Sequence, residues 1–124
     1  MLITYISKTG NIERFIKKLP YENIQKILTG TEKIEQDCIF ITYTTGIGEV
    51  PIEAELFCQN NAEHIVGIVS SGNRNWGSSY GIAADKLSNR YNIPVLMKFE
   101  LSGKISDVEK FIERIEEFEI PRTK

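Results

Sequence analysis

Apolar positions along the chain fall into two alternating rhythms. Residues 2–6 (LITYI) form a short, β-rich, nearly unbroken apolar run, the pattern of a strand buried on both faces. Ile12, Phe15, Ile16 and Leu19 then recur at i, i+3, i+4 and i+7 as one face of a helix, which Pro20 stops. Residues 24–28 predict a weaker second strand, ended by Thr29-Gly30-Thr31, and residues 38–43 a third. The polar segment between those two strands is too short for a full crossover helix. Pro51 suits the first turn of the next helix, where Glu53 and Glu55 favour the positive end of its dipole. Residues 65–69 predict a fourth strand, and Tyr80, Ala83, Ala84, Leu87 and Tyr91 the next helical face. A fifth strand opens at Pro94-Val95-Leu96-Met97. Ser106 and Glu109 have capping-box spacing ahead of a last helix whose face is Val108, Ile112, Ile115 and Phe118.

Strands alternating with helices imply an α/β fold: a three-layer sandwich around a five-stranded parallel sheet in the order 2-1-3-4-5. The 124 residues fit one domain, over 1–120, with 121–124 as a frayed polar tail. With 41% apolar and 26% charged residues the chain is neither disordered nor fibrous. A net charge of -2 argues against nucleic acid as a partner. The longest aliphatic stretch, residues 65–69, is far too short to cross a bilayer, and no leader precedes the first strand, so the expectation is a cytoplasmic protein with reduced thiols. Two cysteines and one histidine cannot assemble a zinc site.

In a sheet of this order, ligands bind beyond the carboxyl ends of the strands, at the switch point between strands 1 and 3. Three loops reach that place. Ser7-Lys8-Thr9-Gly10-Asn11 offers hydroxyls, a glycine and a helix start; a ligand cradle for phosphate and a plain helix cap use the same residues. Thr44-Thr45-Gly46-Ile47-Gly48-Glu49-Val50 carries more glycine and threonine than a tight turn needs, and such a loop can lay main-chain groups against a flat ligand. The third loop, Ser70-Ser71-Gly72-Asn73-Arg74-Asn75-Trp76-Gly77-Ser78, holds the only tryptophan, which either stacks on a planar ring or folds back into the core. Convergence of the three loops on one sheet edge points to a flat, phosphorylated ligand.

Other chemistries fail on the residues present. There is no GxxxxGK[ST], and Pro51 stands where a GxGxxG fingerprint needs its third glycine. Thr44 and Ser7 replace the carboxylates that a phospho-acceptor receiver site requires. Cys38 and Cys58 read as small core residues, not as nucleophiles in an anion loop. His64 precedes strand 4, at the wrong end of the sheet, and Glu49 is the only acidic residue in the three loops.

Ser7-Lys8-Thr9-Gly10-Asn11 resembles the phosphate loop of flavodoxins, with Ile12 in place of the last hydroxyl. Thr42-Tyr43-Thr44-Thr45-Gly46, Ser71-Gly72-Asn73-Arg74-Asn75-Trp76-Gly77 and Lys98-Phe99-Glu100-Leu101-Ser102-Gly103 resemble, in order and spacing, the NrdI family of small flavodoxin-like proteins. The resemblance implies non-covalently bound FMN. It implies a redox partner for the small, radical-generating subunit of class Ib ribonucleotide reductase, not an enzyme with its own metabolite substrate. Such a protein supplies an oxygen-derived oxidant at the superoxide level, electrons, or both, for assembly of the dimanganese–tyrosyl radical cofactor, and draws on an unidentified flavin reductant. Carried over by position, Ser7, Lys8, Thr9, Gly10, Asn11 and Ile12 would surround the phosphate, and Tyr43, Thr44, Thr45 and Gly46 would lie along the ring. Ser71, Gly72, Asn73, Trp76 and Gly77 would hold its other side. Arg74 is a candidate partner contact; a solvated surface charge is its ordinary alternative, as it is for Lys8. A general electron-transfer flavodoxin and a flavin-free binding module on the same fold are the rival readings.

Overall fold

Strand β3, Cys38–Tyr43, is apolar in both directions: Cys38 and Phe40 enter one core, Ile39 and Ile41 the other, and all four are fully buried. Side chains that alternate between two faces demand a cover on each. In this computed structural model, which describes residues 1–45 and 48–119, β3 is flanked in parallel by β1 (Leu2–Tyr5) and β4 (Ile65–Gly72). β2 (Ile24–Lys26) and β5 (Val95–Glu100) form the edges, and the sheet order is β2-β1-β3-β4-β5. Helices α2 (Ile52–Asn61) and α3 (Ile82–Tyr91) cover one face through Ala54, Phe57, Cys58, Ala84 and Leu87. Helices α1 (Asn11–Ile16) and α4 (Ile105–Glu119) cover the other, where Phe15 stacks on Phe99 with centroids 4.0 Å apart and meets the edge of Phe111 at 5.5 Å. The expected three-layer α/β sandwich and its strand order are therefore present. The polar tail at 121–124 lies outside the described residues.

Element boundaries shift where polar groups find partners that periodicity does not reveal. β4 and β5 run beyond their apolar stretches because each supplies the other's ladder, Ser70 beside Lys98 and Gly72 beside Glu100. Ser70, Ser71 and Gly72, expected in a loop, are strand. Helix α1 stops at Ile16, and Leu19 is buried by a tighter turn, its N–H donating to the Ile16 carbonyl at 3.0 Å. The expected capping box does not form. Helix α4 already begins at Ile105, so Ser106 lies inside it, and the Asp107 carboxylate takes the Lys104 N–H at 2.8 Å instead. Its buried face is Val108, Phe111 and Ile115; Phe118 stays exposed.

Both cysteines are free and buried; burial pushes the Cys38 thiol up to about 11 and raises that of Cys58 as well, so neither is a thiolate at neutral pH. Among the described residues no helix is long and apolar enough to cross a membrane, and no cluster of His, Cys, Asp or Glu is placed to hold a metal ion.

Glu32 closes the turn after β2. Its carboxylate accepts the N–H groups of Leu28 at 2.7 Å, Gly30 at 2.9 Å and Thr29 at 3.3 Å. Burial raises its pKa, but these donors outweigh burial and hold it below the ordinary 4.5. A carboxyl with a depressed folded pKa stabilises above its unfolded value, and that stability is lost as pH falls through the folded one. Glu32→Gln is therefore expected to cost about 1 kcal/mol at pH 7, with the gap closing in acid. Urea unfolding of both proteins at pH 7 and in acid reads this. A constant gap would show that the charge is not what holds the turn.

Candidate functional site

The carboxyl ends of β1, β3 and β4 open on one cavity of about 290 Å³, at the point where the strand order reverses. Ser7, Lys8 and Thr9 line it from the loop between β1 and α1, and Asn11 and Ile12 from the first turn of α1. Tyr43, Thr44 and Thr45 come from the end of β3, and Ser71, Gly72, Asn73 and Trp76 from the end of β4. These are twelve of the fifteen residues expected from sequence. Gly10 and Gly77 are not among the walls, and Gly46 lies outside the described residues. A wider groove of about 680 Å³ shares Ser7, Lys8, Tyr43 and Thr45 with the cavity and continues past Leu28 and Ile52.

The first loop is built to present polar groups. Gly10 stands before α1 at φ +90, a conformation that L side chains rarely adopt, and its carbonyl accepts the first helical bond from Arg14 N–H at 3.0 Å. The N–H groups of the first helical turn have no partner within the helix. Ser7 Oγ is shielded from solvent and has no partner within hydrogen-bond distance, although the Glu13 carboxylate is near enough to feel it. A shielded hydroxyl without a settled bond is uncommon in a finished interior, and this one belongs to a residue that lines the cavity. Ile12 lines the cavity but is also buried against Ile3 and Phe15, so its place in the core accounts for an apolar residue where the flavodoxin pattern has a hydroxyl.

The described residues of the second loop and those of the third are held by different bonds. Thr44 donates its N–H to Ser71 O at 3.1 Å, and its hydroxyl accepts from Ala83 N–H at 3.4 Å. Thr45 and Glu49 exchange two main-chain bonds of 2.9 and 2.7 Å, closing the base of the turn, and Lys86 Nζ donates to the Gly48 carbonyl. Asn73 begins a short 3-10 segment, Arg74–Ser79: its side chain accepts the Asn75 N–H at 2.9 Å and its carbonyl the Trp76 N–H at 3.0 Å. This holds the half-buried Trp76 at the cavity wall and out of the main core. Gly72 cannot carry a side chain, since a Cβ there would meet the Gly81 nitrogen at 2.5 Å. Gly77, at φ +59, serves the kink of the 3-10 segment. Arg74 is turned to its own neighbours, 3.6 Å from Glu100 and 4.8 Å above the Tyr80 ring. Burial, and to a lesser degree Glu53, pushes the Tyr43 phenol up, so it remains a neutral donor at physiological pH.

Sequence reasoning missed three residues. Leu101, just past β5, lines the cavity. Arg14 donates to Asn11 Oδ1 at 2.6 Å and to Ser102 Oγ at 3.0 Å, and Lys18 Nζ holds the carbonyls of Ser102 and Gly103 at 3.2 and 2.9 Å. Arg14 and Lys18 together tie α1 to the turn after β5.

A parallel sheet in this order, with its cavity at the switch point, makes this a flavodoxin-like protein. Its structure is similar to that of a short-chain flavodoxin associated with a non-canonical PDU bacterial microcompartment, at a TM-score of 0.68 over 94% of this chain and 95% of that one; at 18% identity the likeness is one of fold. The model of the NrdI flavodoxin-like family matches residues 3–113, and the chain belongs to that family. It is 46% identical to the protein NrdI of Bacillus licheniformis, over 92% of this chain and 86% of that one. It is 44% identical to the SPbeta prophage-derived protein NrdI of Bacillus subtilis, over 98% and 96%. The protein NrdI of Macrococcus caseolyticus is 43% identical, over 94% and 90%.

Proposed function

We propose that the cavity binds FMN, and that the loaded protein serves the small, radical-generating subunit of a class Ib ribonucleotide reductase. There it supplies an oxygen-derived oxidant at the superoxide level, electrons, or both, for assembly of the dimanganese–tyrosyl radical cofactor. The observation that carries this reading is the convergence, in a chain of the NrdI family, of a hydroxyl-rich loop bearing an orphaned buried Ser7 hydroxyl with Tyr43 and Trp76 around one cavity. Its volume, about 290 Å³, is at the low end for ligand sites, and it shares walls with the wider groove.

The residues fit the group. Ser7 and Thr9 hydroxyls, with the N–H groups opening α1, suit a phosphate dianion; α1 has only six residues, so local donors matter here more than a helix dipole. Tyr43 and Trp76 offer apolar faces to a planar ring. The Thr45–Glu49 pairing orients the main chain beside them. When bound, FMN supplies one- and two-electron chemistry, including reaction of its reduced form with oxygen. A net charge of -2 supports a specific partner over generic electron-carrier docking, which favours strongly acidic surfaces.

Visible absorption of the purified protein tests the reading, first with added FMN, then with dithionite, then with oxygen. Flavin bands that bleach and return are expected, and with a manganese-loaded class Ib small subunit present, a tyrosyl radical signal by electron paramagnetic resonance. No binding in excess FMN would make the chain a flavin-free module. Binding and redox cycling with no radical would leave an electron carrier.

A further inference from the structure

Among the described residues two non-glycines have positive φ, Asn92 and Leu101. Asn92 follows α3, where asparagine is an ordinary helix terminator. Leu101, at φ +54, has no such excuse, since a leucine Cβ opposes the left-handed conformation that glycine or asparagine accepts. The residue is also 49% exposed, an apolar group left in solvent, and it lines the cavity. Strain and exposure at one residue both count against leucine unless the side chain is needed where it stands.

The surroundings enforce the conformation. Leu101 N–H donates to Gly72 O at 3.0 Å, and its carbonyl accepts from Ser71 Oγ at 2.8 Å. The next two carbonyls are held by Lys18, and Ser102 Oγ donates to Asn11 Oδ1 at 2.9 Å. Leu101 is thus fastened to the end of β4 and, through its neighbours, to the loop before α1, the two segments that carry most of the cavity wall.

We propose that Leu101 is a fourth wall of the cofactor site, a binding residue held in a strained backbone so that its isobutyl group meets the planar ring of the flavin. An isobutyl group has nothing to offer a phosphate or a sugar hydroxyl, which leaves the ring as its counterpart. The inference rests on the FMN reading above.

Two variants separate contact from architecture. Leu101→Gly and Leu101→Asn both relieve the backbone and remove the apolar contact, so each apoprotein should melt at or above the parent temperature. Each should bind FMN about five- to tenfold more weakly. Riboflavin, which lacks the phosphate, should weaken by the same factor, and Leu101→Met should restore most of the affinity for both. Lower melting temperatures with unchanged affinities would make Leu101 a structural residue and overturn the proposal. So would a loss confined to FMN, which would place the contact at the phosphate. If the unsubstituted protein binds neither flavin, the FMN reading falls and the proposal falls with it.

Discussion

Replacing Thr9 and Gly10 together by alanine will weaken FMN binding by about two orders of magnitude, roughly 3 kcal/mol, while riboflavin binding stays near the parent value. Two losses add. The Thr9 hydroxyl stands at the cavity wall, and hydrogen bonds to a charged acceptor contribute about 1.5–3 kcal/mol each. Gly10 holds φ +90, and an added Cβ would lie 3.2 Å from Arg14 Nη1, so alanine strains the backbone and crowds the guanidinium that steadies Asn11. The loop that aims the donors then moves. Calorimetric titration of the double variant and the parent with FMN and riboflavin separates phosphate from ring, and melting of the apoprotein checks the fold. Unchanged FMN affinity in a folded protein would move the ligand away from this loop.

Much of this architecture was legible because the chain's local choices agree with its global one. The central strand reads as apolar on both faces and is covered on both; the α1 face predicted from Ile12, Phe15 and Ile16 is the buried one. The three loops met because parallel strands start their loops at the same edge, a consequence of topology that needs no side-chain detail. What stayed hidden depends on contacts distant in sequence. Arg14 and Lys18 look like the solvated face of a short helix, yet their partners lie more than eighty residues on, at Ser102 and Gly103. Leu101 escaped notice because β5 continues through Lys98 and Glu100, whose charges look like the end of a strand when they are its edge positions. The one available signal was a Leu-Ser-Gly turn directly after a strand. Ser106 misled for the opposite reason: its spacing to Glu109 is right, but Asp107 reaches the Lys104 N–H first and starts the helix earlier.

The largest stability effect is expected at Phe15, because that side chain holds the ligand loop to the rest of the fold. Phe15→Ala should lower the unfolding free energy by about 3–5 kcal/mol, a third or more of what a domain of this size usually has. Phe15 is fully buried, stacked on Phe99 of β5 and set against the edge of Phe111 of α4, so its loss opens a void shared by three elements. Helix α1, at six residues, has no independent stability and relies on the burial of Ile12, Phe15 and Ile16 besides its polar ties to Ser102 and Gly103. The void therefore loosens the helix whose first turn closes the phosphate-type loop, and FMN affinity should fall with stability. Because a ligand that binds only the folded state stabilises it by mass action, saturating FMN should return part of the lost melting temperature. Phe15→Leu, which keeps most of the volume, should cost clearly less. Guanidinium unfolding with and without FMN measures all three effects. A loss below about 1 kcal/mol for Phe15→Ala would mean that α1 is held mainly by its polar ties to Ser102 and Gly103, and that the aromatic stack is secondary.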